Sequence, residues 1–211
     1  MSNNIIVITN MLSSFATNCY TIANSDTREA VIVDPADRPD FLINMYKNQN
    51  LKPVAVLLTH GHADHIGALA GIKKEFPDIP VYAGKDEEEL LADPNLNLSA
   101  MFGSSVSLKA DKYVEDGDVI ELLGTKIKCF HVPGHTKGGT CYYFEKEEMV
   151  FSGDTLFEGS IGRSDFPTGD GRALVENIKE KLLTLPENVT VYSGHGGRTT
   201  IKREKETNPF F

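Results

Sequence analysis

His60, His62, Asp64 and His65 fall within six residues, in the stretch Thr59-His60-Gly61-His62-Ala63-Asp64-His65. Imidazole and carboxylate groups gathered at this spacing mark metal sites far more often than polar loops. The chain has six histidines in 211 residues, and three of them are here. One ion could not comfortably take all four side chains from so short a segment, whereas two ions sharing it could. The chemistry open to such a site includes a metal-bound hydroxide at neutral pH, because a bound water has its pKa lowered from about 16 to about 7.

Three later positions repeat the arrangement. His135 follows an apolar run in His131-Val132-Pro133-Gly134-His135, Asp154 lies in Phe151-Ser152-Gly153-Asp154-Thr155, and His195 lies in Tyr192-Ser193-Gly194-His195-Gly196. Each has glycine beside it, which lets the backbone turn sharply and leaves room for an ion. Taken singly, a histidine after a strand is more often a hydrogen-bonded core residue, and an aspartate in Gly-Asp-Thr is more often a turn or cap. Together with the first stretch they make seven ligands, enough for two ions with an open coordination position, and Asp64 and Asp154 become the carboxylates closest to the chemistry. Asp34 also ends a strand as the ligands do, and by itself reads as a turn residue before Pro35. His131, four residues before His135, reads as structural or supporting, since seven ligands already fill the site. Arg163 could grip a substrate carboxylate through its two-pronged guanidinium, or pair with Asp165 or Asp170 to order its loop. Lys137 is a second candidate for contact with substrate. The Lys202-Arg203-Glu204-Lys205 run reads as a solvated helix face.

The elements that must position these groups are legible as short apolar runs. Ile5 to Ile8, Asn18 to Ala23, Ala30 to Val33 and Val54 to Leu58 read as strands, the last delivering the histidine stretch. Asp37 and Pro39 signal a helix start, and Phe41, Leu42, Met45 and Tyr46 recur at helical spacing. A second helix opens at the ligand turn and carries Ile66, Leu69, Ala70, Ile72 and Phe76, ending at Pro77. Val81 to Ala83 is a short strand, Lys85 to Ala92 a short acidic helix, and Asp93 to Leu108 a loop that could lie over the site. Turns at 116–118 and 123–125 bracket another strand. Lys126 to Val132, Gly139 to Phe144, Met149 to Ser152 and Val189 to Tyr192 complete the strands. Asp170 caps a helix with Leu174, Ile178, Leu182 and Leu185 on one face, and Thr199 to Thr207 forms a short terminal helix. Strands in sets, with helices on either side in each half, predict a four-layer α/β sandwich: two mixed sheets face to face, flanked by helices.

Composition bounds the rest. A length of 211 residues suits one α/β domain over residues 1–211. A net charge of −9 argues against nucleic acid as a partner, which requires clustered Lys and Arg. No apolar run approaches the roughly 20 residues needed to span a bilayer, and Met1-Ser2-Asn3-Asn4-Ile5 lacks a basic start before an apolar core. Cys19, Cys129 and Cys141 are an odd number without CxxC spacing, as expected of buried thiols in a reducing cytoplasm. A small molecule is the expected partner, with no membrane, and the oligomeric state is left open.

The pattern His-x-His-x-Asp-His, followed by His, Asp and His, resembles the metallo-β-lactamase fold superfamily over essentially the whole chain. The resemblance implies the αββα sandwich, with His60, His62 and His135 holding a first ion, Asp64, His65 and His195 a second, and Asp154 bridging them; it also implies that Asp34 supports a ligand histidine. Gly153-Asp154-Thr155-Leu156-Phe157, followed by Gly159-Ser160-Ile161-Gly162-Arg163-Ser164-Asp165-Phe166, is similar to the glyoxalase II branch, and the ending Thr207-Asn208-Pro209-Phe210 resembles its short bacterial members. That branch implies a metal-dependent hydrolase of the hydroxyacylglutathione type, cleaving an S-acyl glutathione-like thioester with two divalent ions, zinc first and iron or manganese as alternatives. It also contains mononuclear iron persulfide dioxygenases, the second reading. One departure bears on the thiol carrier: the chain stops soon after His195, without the extra helical region that helps full-length glyoxalase II enzymes hold glutathione.

Overall fold

A computed structural model describes residues 4–211; residues 1–3, part of the leading segment considered above for a signal, lie outside the described residues. The first half runs β1 (Ile5–Leu12), β2 (Thr17–Asn24), β3 (Glu29–Val33), α1 (Pro39–Asn48), β4 (Lys52–Leu57), α2 (Ala63–Ile66), α3 (Leu69–Glu75), β5 (Val81–Gly84), α4 (Glu88–Ala92) and β6 (Lys112–Val114). The second runs β7 (Val119–Leu122), β8 (Thr125–His131), β9 (Thr140–Phe144), β10 (Met149–Gly153), β11 (Leu156–Phe157), β12 (Ser160–Ile161), α5 (Gly171–Asn177), β13 (Thr190–Ser193), β14 (Thr199–Thr200) and α6 (Ile201–Thr207). Strands β1 to β6 form one six-stranded sheet in sequence order, and a second has the order β14-β13-β10-β9-β8-β7. Both are mixed: β1 to β3 pair antiparallel and β3 to β6 parallel, while β10 is parallel to β13 and antiparallel to β9.

Side chains alternate across a strand, and three apolar layers follow. Val31 and Val33 face the second sheet, joining Tyr20, Ile22, Ile127, Tyr142, Phe144 and Phe151. Their neighbour Ile32 faces outward, onto Leu42 and Tyr46 of α1 and Leu69 and Ile72 of α3. On the far side Val150 and Val191 meet Leu174 of α5, Ile178 and Leu182. The expected four-layer sandwich is therefore the observed one.

Local departures have local causes. The helix expected to run unbroken from the ligand turn is two pieces, α2 and α3. A Cβ at the intervening Gly67 would meet the Ala36 carbonyl oxygen at 2.4 Å, so the backbone presses against the β3–α1 connection just there. Asp37 does not cap α1: the N-cap is Arg38, and the Asp37 carboxylate accepts from its backbone N–H. Asp170 does cap α5, accepting from the N–H groups of Arg172 and Ala173. Strand β6 carries no apolar alternation strong enough to be seen in the sequence. The three cysteines are buried and unpaired. Among the described residues, no helix is long and apolar enough to cross a membrane.

Candidate metal centre

The strands deliver seven side chains to one end of the sandwich. β4 leads into Thr59-His60-Gly61-His62, and Asp64 and His65 follow in the first turn of α2. His135 lies in the β8–β9 connection, Asp154 directly after β10, and His195 after β13. The last of these is tied to the first sheet: Asn18 N–H donates to the Gly194 carbonyl at 2.7 Å, and Thr17 forms a β-bridge with His195.

Three nitrogens converge on one side. His62 Nδ1 lies 3.0 Å from His135 Nε2, which lies 3.3 Å from His60 Nε2. The opposite atoms of two rings fix their tautomers. His135 Nδ1 donates to the Arg163 carbonyl at 2.7 Å. The Thr59 hydroxyl donates to Asp34 Oδ2 at 2.6 Å, so it can only accept from His60 Nδ1, 3.1 Å away. Both Nε2 atoms therefore carry lone pairs that face each other across 3.3 Å, and the one possible donor among the three nitrogens, His62 Nδ1, reaches only His135; a cation among them would relieve the repulsion.

The other side is built alike. His65 Nδ1 donates to Asp34 Oδ2 at 2.9 Å and His195 Nδ1 to the Phe15 carbonyl at 3.1 Å. Their Nε2 atoms turn inward, each 3.3–3.5 Å from Asp64 Oδ2. Asp154 reaches both sides, with Oδ1 3.4 Å from His65 Nε2 and Oδ2 3.4 Å from His195 Nε2 and 3.7 Å from His135 Nε2. His65 Nε2 and Asp154 Oδ1 are buried without a hydrogen-bond partner, which is costly unless something else satisfies them. A Cβ on Gly194 would come within 2.1 Å of Asp154 Oδ1, so only glycine leaves that oxygen its room. Two groups, His60-His62-His135 and Asp64-His65-His195, could each hold an ion, and these orphaned atoms and facing lone pairs fit one. Asp34, His60 and His65 also lie close enough to form a group, but both Asp34 oxygens are already engaged, with Thr59 and His65. Asp34 orients rings; it sits at φ +50°, a left-handed conformation that costs about 1 kcal/mol or more outside glycine.

The protein's own charges divide the histidines. Burial and the neighbouring rings push His60 well below the ordinary imidazole range and His62 down to about 3, and burial lowers His135. Burial also works against charge on His65 and His195. There, however, Asp154 and Asp64 prevail, raising His65 well above its usual value and His195 to about 9. For Asp64 and Asp154 burial is outweighed by His65 and His195, and both carboxyls are held well below the usual carboxylate range.

A cavity of about 420 Å³ opens over this centre. Phe15, Leu98, Phe102, Phe157, Ile161 and Phe166 give it an apolar wall. Leu98 and Phe102 come from the 93–108 segment, which does lie over the site. Phe15, from the β1–β2 turn, meets Phe102 edge-on at 5.0 Å; no motif in the sequence marks either residue. Arg163 lines the cavity, but its guanidinium is paired two-pronged with Asp165 and stacked on Phe166 at 3.9 Å. Lys137 is exposed and does not line the cavity; its carbonyl accepts from His131 Nε2. His131 hydrogen-bonds none of the seven. A larger hollow of about 800 Å³ lies elsewhere, at the β7–β8 and β9–β10 turns, and holds none of them.

Sequence reasoning missed Glu87. Its side chain is fully buried beside the centre and accepts from the N–H groups of Gly61 and Gly138 and from the Thr136 hydroxyl. Burial pushes its carboxyl up to about 7, against those three donors. In the sequence it is one of several acidic residues in Lys85 to Glu89, with nothing to single it out.

The metallo-beta-lactamase superfamily model matches residues 13–195. A probable metallo-hydrolase YqgX of Bacillus subtilis is 40% identical, over 92% of this chain and 91% of its own. The hydroxyacylglutathione hydrolase GloC of Haemophilus influenzae is 34% identical, over 94% of each chain. Among solved structures, the BLEG-1 B3 metallo-beta-lactamase superposes with a TM-score of 0.92 at 41% identity, covering 97% of this chain and 99% of that one. TTHA1623, in a di-iron-bound form, gives 0.86 at 35%, covering 97% and 100%. With ligand-type side chains gathered at its strand ends, and a family model that spans most of its length, the chain belongs to the metallo-beta-lactamase superfamily.

Proposed function

We propose that this protein is a binuclear metal-dependent hydrolase that cleaves a small S-acyl thioester of the glutathione type. The observation that carries the reading is the double convergence of imidazole nitrogens, three on one side of Asp154 and two on the other, with the rings of His60, His65, His135 and His195 each anchored through the remote nitrogen. His60, His62 and His135 would hold one ion and Asp64, His65 and His195 the other, with Asp154 between them. Ions held there would supply a nucleophilic hydroxide at neutral pH and stabilise negative charge developing on the substrate. Asp64, fixed by the Thr17 hydroxyl at 2.7 Å, is placed to orient the nucleophile. The phenylalanine wall excludes water and accepts the apolar parts of the substrate, and Arg163 can exchange Asp165 for a substrate carboxylate. A relative named hydroxyacylglutathione hydrolase, alike along nearly its whole length, supports the thioester. Imidazole and carboxylate ligands accept zinc, iron or manganese alike.

A second hydrolytic reading, opening of a β-lactam amide, is favoured by the superposition on BLEG-1. The decisive experiment measures metal content beside turnover of S-lactoylglutathione, a cephalosporin and glutathione persulfide. Thioester cleavage with two ions per chain and no oxygen uptake is expected. Preferential cephalosporin hydrolysis would establish the second reading, and oxygen uptake with one iron per chain would replace both with persulfide oxidation.

A further inference from the structure

We propose that Glu87 is the positioning residue of the three-histidine group: its carboxylate ties the His60–His62 turn to the turn after His135 at a fixed separation, so that the nitrogens converge before an ion arrives. The inference rests on the reading that these histidines hold a metal. Glu87 Oε2 accepts from Gly61 N–H at 3.0 Å, between two of the three rings. Oε1 accepts from Gly138 N–H at 3.0 Å and from the hydroxyl of Thr136, the residue after the third ring. One fully buried side chain thus holds donors from both turns. Gly138 is pressed onto it so closely that a Cβ there would meet the Glu87 backbone nitrogen at 2.3 Å. A tie of this kind is needed because the Nε2 lone pairs of His60 and His135 face each other 3.3 Å apart, and His62 Nδ1, the one possible donor among the three nitrogens, reaches only His135.

A carboxylate suits the role where a neutral side chain does not. Three donors meet an acceptor-only group, and among the described residues no lysine or arginine forms an ion pair with Glu87. Glutamine keeps the shape but exchanges one acceptor oxygen for an NH₂ donor, which must then face either Gly61 N–H or the Thr136–Gly138 pair. Residues that orient metal ligands from behind typically change metal affinity by about 10- to 100-fold.

The test uses cobalt(II) alone as probe, in the full-length chain carrying His195→Ala, which leaves the three-histidine group as its complete ligand set. Glu87→Gln should weaken cobalt binding by about tenfold or more in chelator competition and alter the visible absorption band of the bound ion. Thr136→Val, which withdraws one donor, should act in the same direction and less strongly. A merely structural glutamate would lower the melting temperature while leaving the dissociation constant and the band of the folded protein unchanged, and that result would overturn the proposal. Should Glu87→Gln fail to fold, Thr136→Val decides by the same criterion. If the His195→Ala parent binds no cobalt, the metal reading fails; if parent and folded variants bind equally, only the role of Glu87 does.

Discussion

At the scale of single residues, the division of the histidines predicts how the two groups take up metal. His60, His62 and His135 are held neutral by burial, so ions entering there displace no proton at pH 7. His65 and His195 hold protons against Asp64 and Asp154 and must release them. Calorimetry in buffers of different ionisation enthalpy should therefore find greater proton release with the second ion than with the first, and second-ion affinity should climb as the pH rises towards about 9. Equal proton release by both ions would refute this division. The same shift fixes a sign for the chelated protein. The His195 value in the fold lies above its ordinary 6.5, so its contribution to stability is complete below that pH and is lost as pH rises through about 9. Asp154→Ala removes the carboxylate shared by both groups and should abolish second-ion binding and turnover together; retention of both would contradict a bridging role. The seven side chains that converge here could be picked out in the sequence because the capacity to ligate is carried by residue type, and type is what a sequence states outright.

At the scale of elements, the wall of the cavity comes from segments without regular structure: the β1–β2 turn with Phe15 and the 93–108 segment with Leu98 and Phe102. Asn97 anchors the latter, giving its amide protons to the Leu91 and Val106 carbonyls while its own carbonyl accepts from Ala63 at the start of α2. Phe102 is 53% exposed, so Phe102→Ala should hardly move the melting temperature. It should raise KM for the thioester about three- to tenfold if the ring covers substrate, given the area such a ring can bury; an unchanged KM would remove it from the substrate's path. Arg163→Ala should likewise raise KM with kcat little changed. Strands were readable because apolar runs of four to eight residues between turn signals admit few alternatives. The split between α2 and α3 was not, since it depends on a carbonyl from another part of the chain.

At the scale of the whole molecule, the two candidate metal groups draw on both halves of the chain. His60, His62, Asp64 and His65 belong to the first half, and His135, Asp154 and His195 to the second, so an ion shared between them cross-links the sandwich. Each ion present at about 100 times its dissociation constant adds about 2.7 kcal/mol, or roughly 5–10 °C in Tm for a chain of this length. Chelation should lower Tm by that amount per ion, and zinc or iron should restore it; a Tm indifferent to chelator would mean that the ions are not held between the halves.

The sequence by itself determined the chemistry on offer: which side chains could ligate, which runs could become strands, and the four-layer arrangement that alternating apolar faces require. Only the tertiary structure decided which nitrogen of each ring faces inward, that Arg163 already has Asp165 as its partner, that Lys137 lies off the cavity, and that Glu87 is buried where the two ligand turns meet. The reason is that ligand type and hydrophobic period are local properties, readable a few residues at a time. Tautomer, orientation and burial are set by hydrogen bonds between residues far apart in the chain, and their partners become neighbours only when the two sheets close on each other.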